Sequence, residues 1–207
     1  MNSTARKVCT IAAAALVTSA LAFAQMGGPP ANPPQQNPNA GNMGMNHMQQ
    51  MEPSQQEPPM QAMQDKGFVH DALQGGMAEV KLGHLAEQKG ASADVRQFGA
   101  KMVNDHTQLD TYLLKAATSM EMPAPKHIAK KDKKLYEKLS ALSGTQFDDA
   151  YIKAMVKGHE KALAAFRLTA ENTQLPDLKQ TAEQGSQIVY GHLQLIKKIA
   201  KDHHLKS

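Results

Sequence analysis

From Asp65 onward the apolar residues of this chain recur every three or four positions in four long segments, and the links between those segments run short, long, short. That period marks helices with one buried face. The segments run from about Lys66 to Lys89, from after Ser92 to about Ser119, from after Thr145 to about Asn172, and from Pro176 to about His203. Gly90 suits the residue just past a helix end, Ser92 and Thr145 suit N-caps, Asp148 lies near the positive end of its helix, and Pro176 fits a first turn. The two short links each predict an antiparallel hairpin. The middle link, about 25 residues with Pro123 and Pro125 followed by a short basic helix over 132–142, is long enough to cross the length of a bundle. The pattern predicts an all-α, ferritin-like four-helix up-down bundle over residues 65–203, with one long crossover containing a short extra helix.

Two segments precede the bundle. Residues 1–24 read as a cleaved signal peptide: Arg6 and Lys7, an apolar run from Val8 to Leu21, then the small-x-small site Ala22-Phe23-Ala24. The run is short for a membrane span, and none of suitable length follows, so the mature chain is expected to lack a transmembrane span. Cys9 departs with the leader, which leaves no disulfide, thiolate ligand or cysteine nucleophile. The mature chain carries 21 basic against 19 acidic residues, a net charge of +2 that argues against a nucleic-acid partner. Export to the periplasm or outer envelope of a bacterium is expected. Residues 25–64 are rich in Pro, Gln, Asn, Gly and Met, with too few branched apolar residues to offset ordering entropy, and are expected to be disordered. Met43, Met45, His47, Met48 and Met51 cluster there; their soft thioethers suit Cu(I), and a drifted Met-rich tether is the plainer reading.

Each helical stripe is interrupted near its middle by one polar residue. The second segment has Val95, Phe98, Met102, His106 and Leu109, and the third has Ile152, Met155, His159 and Phe166. The fourth has Leu178, Gly185, Ile188, His192, Leu195 and Ile199, and the first has Val69, Ala72, Gly76, Glu79, Gly83 and Ala86. The phrase Met-Val-x-x-His occurs twice, at 102–106 and 155–159, which sets Met102 and Met155 one turn from their histidines. At ~1.5 Å rise per residue, His106 and His159 lie ~20 Å into their helices, Glu79 ~16 Å back from the first short link and His192 ~23 Å forward from the second, which puts all four at one level of the bundle. Glu79, His106, His159 and His192 are therefore expected in one layer. Three imidazoles and a carboxylate form a first shell for one transition-metal ion, Cu, Zn, Fe or Mn, with Asp105 orienting a ring from behind and Met102 and Met155 adding soft character. The competing reading is a hydrogen-bonded polar layer that fixes register. Leu73 and Val80 mark a second stripe on the first helix, only ~100° away, that would turn Glu79 outward.

Several phrases, among them Gly76-Met77-x-Glu79-Val80-x-Leu82-Gly83, Met102-Val103-x-Asp105-His106-Thr107, Ser143-Gly144-x-x-Phe147-Asp148-x-x-Tyr151-Ile152 and Met155-Val156-x-x-His159, occur in an order that resembles the exported bacterial family called domain of unknown function 4142. The resemblance covers roughly residues 66–200 and implies a ferritin-like bundle in the bacterial envelope. It implies no established activity. Ferritin-like di-iron proteins carry Glu-x-x-His on two helices. Here Val103, Val156 and Val189 stand three residues before the histidines, so the bridging carboxylates are missing and a single ion fits better. Three functions follow: a non-enzymatic metal-binding bundle, a stress-related envelope protein that acts through a protein partner or a homodimer with a purely structural layer, and a mononuclear-metal redox enzyme.

Overall fold

The computed structural model describes residues 59–205, so the leader and the Met43–Met51 cluster lie outside the described residues. Five helices follow in order: α1 (Pro59–Lys89), α2 (Ala93–Ser119), α3 (Lys130–Ser140), α4 (Gly144–Asn172) and α5 (Pro176–Asp202). Helices α1, α2, α4 and α5 form the bundle. In it α1 packs on α2 and α4, and α5 packs on the same two. Side-chain bonds at the ends give the directions. The start of α4 meets the start of α2, the start of α1 meets the end of α4, and the end of α5 meets the start of α2. Packed neighbours are thus antiparallel, while α2 and α4, on opposite corners, run parallel, as the long crossover requires. α3 lies in that crossover and packs against α1 and α4.

Two buried carboxylates tie these ends together. Asp148, 1% exposed, accepts the backbone N–H groups of Ala91 and Ser92 at 2.9 and 2.8 Å. A side chain from α4 thereby satisfies donors at the α1–α2 turn that would otherwise be orphaned. Ser92 does occupy the N-cap position of α2, but its hydroxyl makes no capping bond. At the opposite end Asp65 accepts from Gln61 at 2.8 Å and from the Thr173 hydroxyl at 2.7 Å.

Three sequence expectations need correction. α1 begins at Pro59, so residues 59–64 belong to the helix and not to a disordered tether. Gln, Met and Ala are good helix formers, Pro suits a first turn, and Asp65 anchors the segment. Its Met60 and Met63 are exposed. α4 starts at Gly144 with Ser143 at its N-cap, two residues ahead of the expected Thr145 cap. The inward stripes are also rotated. On α1 Leu73, Leu82 and Leu85 are buried beside Val69, Gly76, Gly83 and Ala86, whereas on α5 Val189 and Ile196 are buried and Leu195 is exposed.

The spacing of α1 and α2 is set by glycine. A Cβ at Gly83 would lie 2.7 Å from the Gly99 carbonyl oxygen, and one at Gly99 the same distance from that of Gly83. The two backbones therefore touch, and only glycine permits it. Replacing Asp148 by Ala should cost ~2 kcal/mol, since two backbone N–H groups at the α1–α2 turn lose their acceptor. Urea unfolding should show the loss with an unchanged m-value; a change within error of zero would mean that the turn finds other acceptors.

Candidate metal centre

His106, His159 and His192 reach the bundle centre from α2, α4 and α5, all of them buried. Their ring centroids lie 5.4–6.1 Å apart, and one nitrogen from each comes within 4.8 Å of the other two. Among the described residues this is the group of His, Cys, Asp and Glu side chains whose ligand atoms approach closely enough to hold one ion. Phe98 closes one side, with its ring edge-on to His159 and His192 at centroid distances of 6.1 and 6.3 Å.

Two of the rings are oriented from behind. His159 donates Nδ1–H to the Met155 carbonyl at 2.9 Å, which leaves Nε2 as a lone-pair donor. His192 donates Nε2–H to Asp105 Oδ2 at 2.8 Å, which leaves Nδ1. Those two atoms, Nε2 of His159 and Nδ1 of His192, have no hydrogen-bond partner, and neither does either nitrogen of His106. Buried rings usually satisfy both nitrogens. On His159 and His192 one nitrogen is held and the other is left free, which is the arrangement that orients imidazole ligands.

Electrostatics keep the lone pairs available. Burial, reinforced by mutual repulsion of the three rings, lowers His106 to about 3 and, with His192 alone repelling it, His159 to about 4. Burial also lowers His192, against the opposing pull of Asp105. Asp105 is itself held at about 2: burial opposes its charge, but bonds from His192, Lys101 and Asn104 outweigh that cost. At neutral pH the rings are uncharged and Asp105 is ionised.

Glu79 does not join the imidazoles. With Leu82 and Leu85 turned inward, it sits at the edge of α1 facing α4, its Oε1 3.7 Å from where a Cβ on Gly158 would stand. It lines a cavity of about 470 Å³ bounded by α1, α2, α3 and α4, which His106, His159, Asp110 and Asp132 also line. Burial, with Asp132 nearby, pushes Glu79 up to about 8; burial pushes Asp110 up to about 7. Asp105 orients the ring of His192 on α5 and not that of its neighbour His106. Met155 acts through its carbonyl, and its side chain, like that of Met102, is packed in the core. His84 is exposed and bonds Glu87, while His203 pairs with Asp94. Asp148 and Asp65 were not recognised as buried anchors from the sequence, because their partners lie 57 and 108 residues away.

The family described as Domain of unknown function (DUF4142) matches residues 50–199, and the chain belongs to it. No curated protein matches the sequence significantly. Solved structures share the fold. A DUF305 fragment from Deinococcus radiodurans is 15% identical with a TM-score of 0.59, covering 67% of this chain and 96% of its own. The DUF305 protein from Streptomyces coelicolor is 14% identical with a TM-score of 0.60, covering 70% and 96%. CopM in its Cu(I)-bound form is 14% identical with a TM-score of 0.56, covering 67% and 96%. At such identities the likeness is one of fold alone. Among the described residues no helix is long and apolar enough to cross a membrane.

The shifted groups predict opposing pH trends in the metal-free protein. Native histidines with lowered pKa bind fewer protons than the unfolded chain, so stability falls as pH drops below ~6.5. Native Glu79 and Asp110, raised to about 8 and 7, hold protons that the unfolded chain has released, so stability also falls as pH rises toward 8. Glu79→Gln should flatten the alkaline fall and, because Glu79 also opposes the histidines between pH ~4.5 and 6.5, steepen the acid side. Melting curves at pH 6 and 8.5 test this, and an undiminished alkaline fall would refute it.

Proposed function

We propose that this protein is an exported, non-enzymatic metal-binding bundle that holds one transition-metal ion, best fitted by Cu(I), on His106, His159 and His192. The observation that carries this reading is the set of free, buried ring nitrogens on three helices within 4.8 Å of one another. A three-coordinate ion with bonds of ~2.0 Å needs nitrogens ~3.5 Å apart, so the rings must draw together slightly. His106, with no hydrogen bond on either nitrogen, is the ring free to move.

Charge and softness favour a monovalent ion. The three donors are neutral and the surroundings are apolar, so a divalent ion would bring two charges into a low dielectric, of which the ionised Asp105 can match only one. A monovalent ion brings one, matched by the ionised Asp105 behind His192. Imidazole suits copper, and the Met-rich 43–51 segment offers thioethers of the kind that capture Cu(I). The shared fold with CopM, solved with Cu(I), supports the same direction. The leader-like first 24 residues support export.

The purely structural layer is the rival reading. It requires the rings to satisfy one another or Glu79, and in the described structure they do neither. Anaerobic Cu(I) titration against a chromophoric chelator should give one tight site per bundle. Asp105→Asn should weaken it roughly 10–100-fold through His192, and His106→Gln together with His159→Gln should abolish it. Tight binding that survives the double substitution would disprove the assignment. Retained folding with no Cu(I), Zn(II), Fe(II) or Mn(II) bound by the parent protein would favour the structural layer.

A further inference from the structure

The cavity beside the histidines has a chemistry of its own. Its walls are mostly apolar, with Phe68 and Phe166 in an edge-to-face pair at 5.0 Å and Leu82, Leu109 and Leu135 around them. Into this apolar space project Glu79 and Asp110. Oε2 of Glu79 and Oδ1 of Asp110 are buried without a hydrogen-bond partner, and among the described residues neither carboxyl forms an ion pair. The lysines that reach the lining, Lys131, Lys157 and Lys161, are exposed at its mouth. The space exists because small residues make it. Gly75 on α1 and Gly158 on α4 stand within long helices, where each costs ~1 kcal/mol relative to Ala, whereas the missing side chain of Gly76 leaves room for the Asp110 carboxyl, which a Cβ there would strike.

We propose that this cavity binds an organic ammonium ion with a hydrophobic body, the body against the phenylalanines and leucines and the charged end against Glu79 and Asp110. The wall presents two carboxyls without partners, and an occupant that brings charged N–H groups satisfies them in their ionised form. A bare metal ion is a poorer fit, since Glu79, Asp110 and Asp132 do not gather their oxygens as the three imidazoles gather their nitrogens. A volume of about 470 Å³ with an apolar majority suits an organic body. An ammonium group replaces one of the two protons that burial otherwise keeps on these carboxyls, and low dielectric strengthens the resulting pair. The site adjoins the metal centre but does not depend on it.

Calorimetric titration of the full metal-free protein at pH 7 with three probes of one shape tests the proposal: phenethylammonium, 2-phenylethanol and phenylacetate. The expected result is saturable binding of phenethylammonium, roughly 10–100-fold weaker binding of the alcohol, and none of the carboxylate. Glu79→Gln and, separately, Asp110→Asn should each reduce the preference for amine over alcohol. Gly158→Met, which fills the cavity and keeps both carboxyls, should remove binding of amine and alcohol alike. Equal affinity for amine and alcohol, stronger binding of phenylacetate, or no saturable binding of any probe by the folded protein would overturn it.

Discussion

Three imidazoles at the centre of this bundle have been taken out of water without a full set of partners, and that cost shapes the rest of the structure. A buried polar atom left unsatisfied costs on the order of 1–3 kcal/mol. Three rings are involved, and four of their nitrogens lack partners. The fold must therefore supply packing strong enough to hold them. It does so with the backbone contact at Gly83 and Gly99, the aromatic floor of Phe98, and buried carboxylates clamping both ends.

The anchoring of the rings is distributed in a way that a purely architectural layer would not need. His159 is held by its own helix through the carbonyl four residues back, whereas His192 is held by α2 through Asp105. Each anchor consumes one nitrogen and fixes the tautomer that exposes the other. His106 has no anchor, so the centre combines two fixed donors with one adjustable donor. Such a set can close on an ion whose bonds are shorter than the resting separation. It also gives Asp105 a double role, since the same carboxylate that orients His192 is paired with Lys101 and stays ionised at the edge of the seam.

The fold was legible because period, caps and link lengths are local properties. Helix α2 runs from Ala93 to Ser119, and α4 ends at Asn172, both as the periodicity predicts. The histidines were equally readable, since a lone polar residue in an apolar stripe at matching depth on parallel and antiparallel helices must meet its counterparts. Rotation of a helix about its axis was harder to read. On α1 the stripe through Val69, Gly76 and Ala86 and the stripe through Leu73 and Leu82 overlap, and the larger leucines won the core, which carried Glu79 to the edge. On α5 Ile196 displaced Leu195 from the interior by the same competition. Asp148 and Asp65 were unreadable as anchors because nothing in their immediate sequence names a partner half the chain away.

Burial acts on the two kinds of titratable group here with opposite chemical consequences. An imidazole kept neutral by desolvation is the form that binds a metal, so the apolar surroundings of His106, His159 and His192 prepare them as ligands. A carboxyl kept neutral by desolvation is not a metal ligand until it gives up its proton, so the same surroundings withdraw Glu79 and Asp110 from hard-ion chemistry at neutral pH. A low-dielectric seam thus sorts its own donors. It offers nitrogen and withholds oxygen, which in the proposed centre would favour softer ions over Mg²⁺, Ca²⁺ or Mn²⁺ without any difference in the number of groups present. The absence of a Glu three residues before each histidine completes that selection. With valine there, no bridging carboxylate is available to assemble a di-iron pair, and the proposed centre would hold a single ion on neutral ligands.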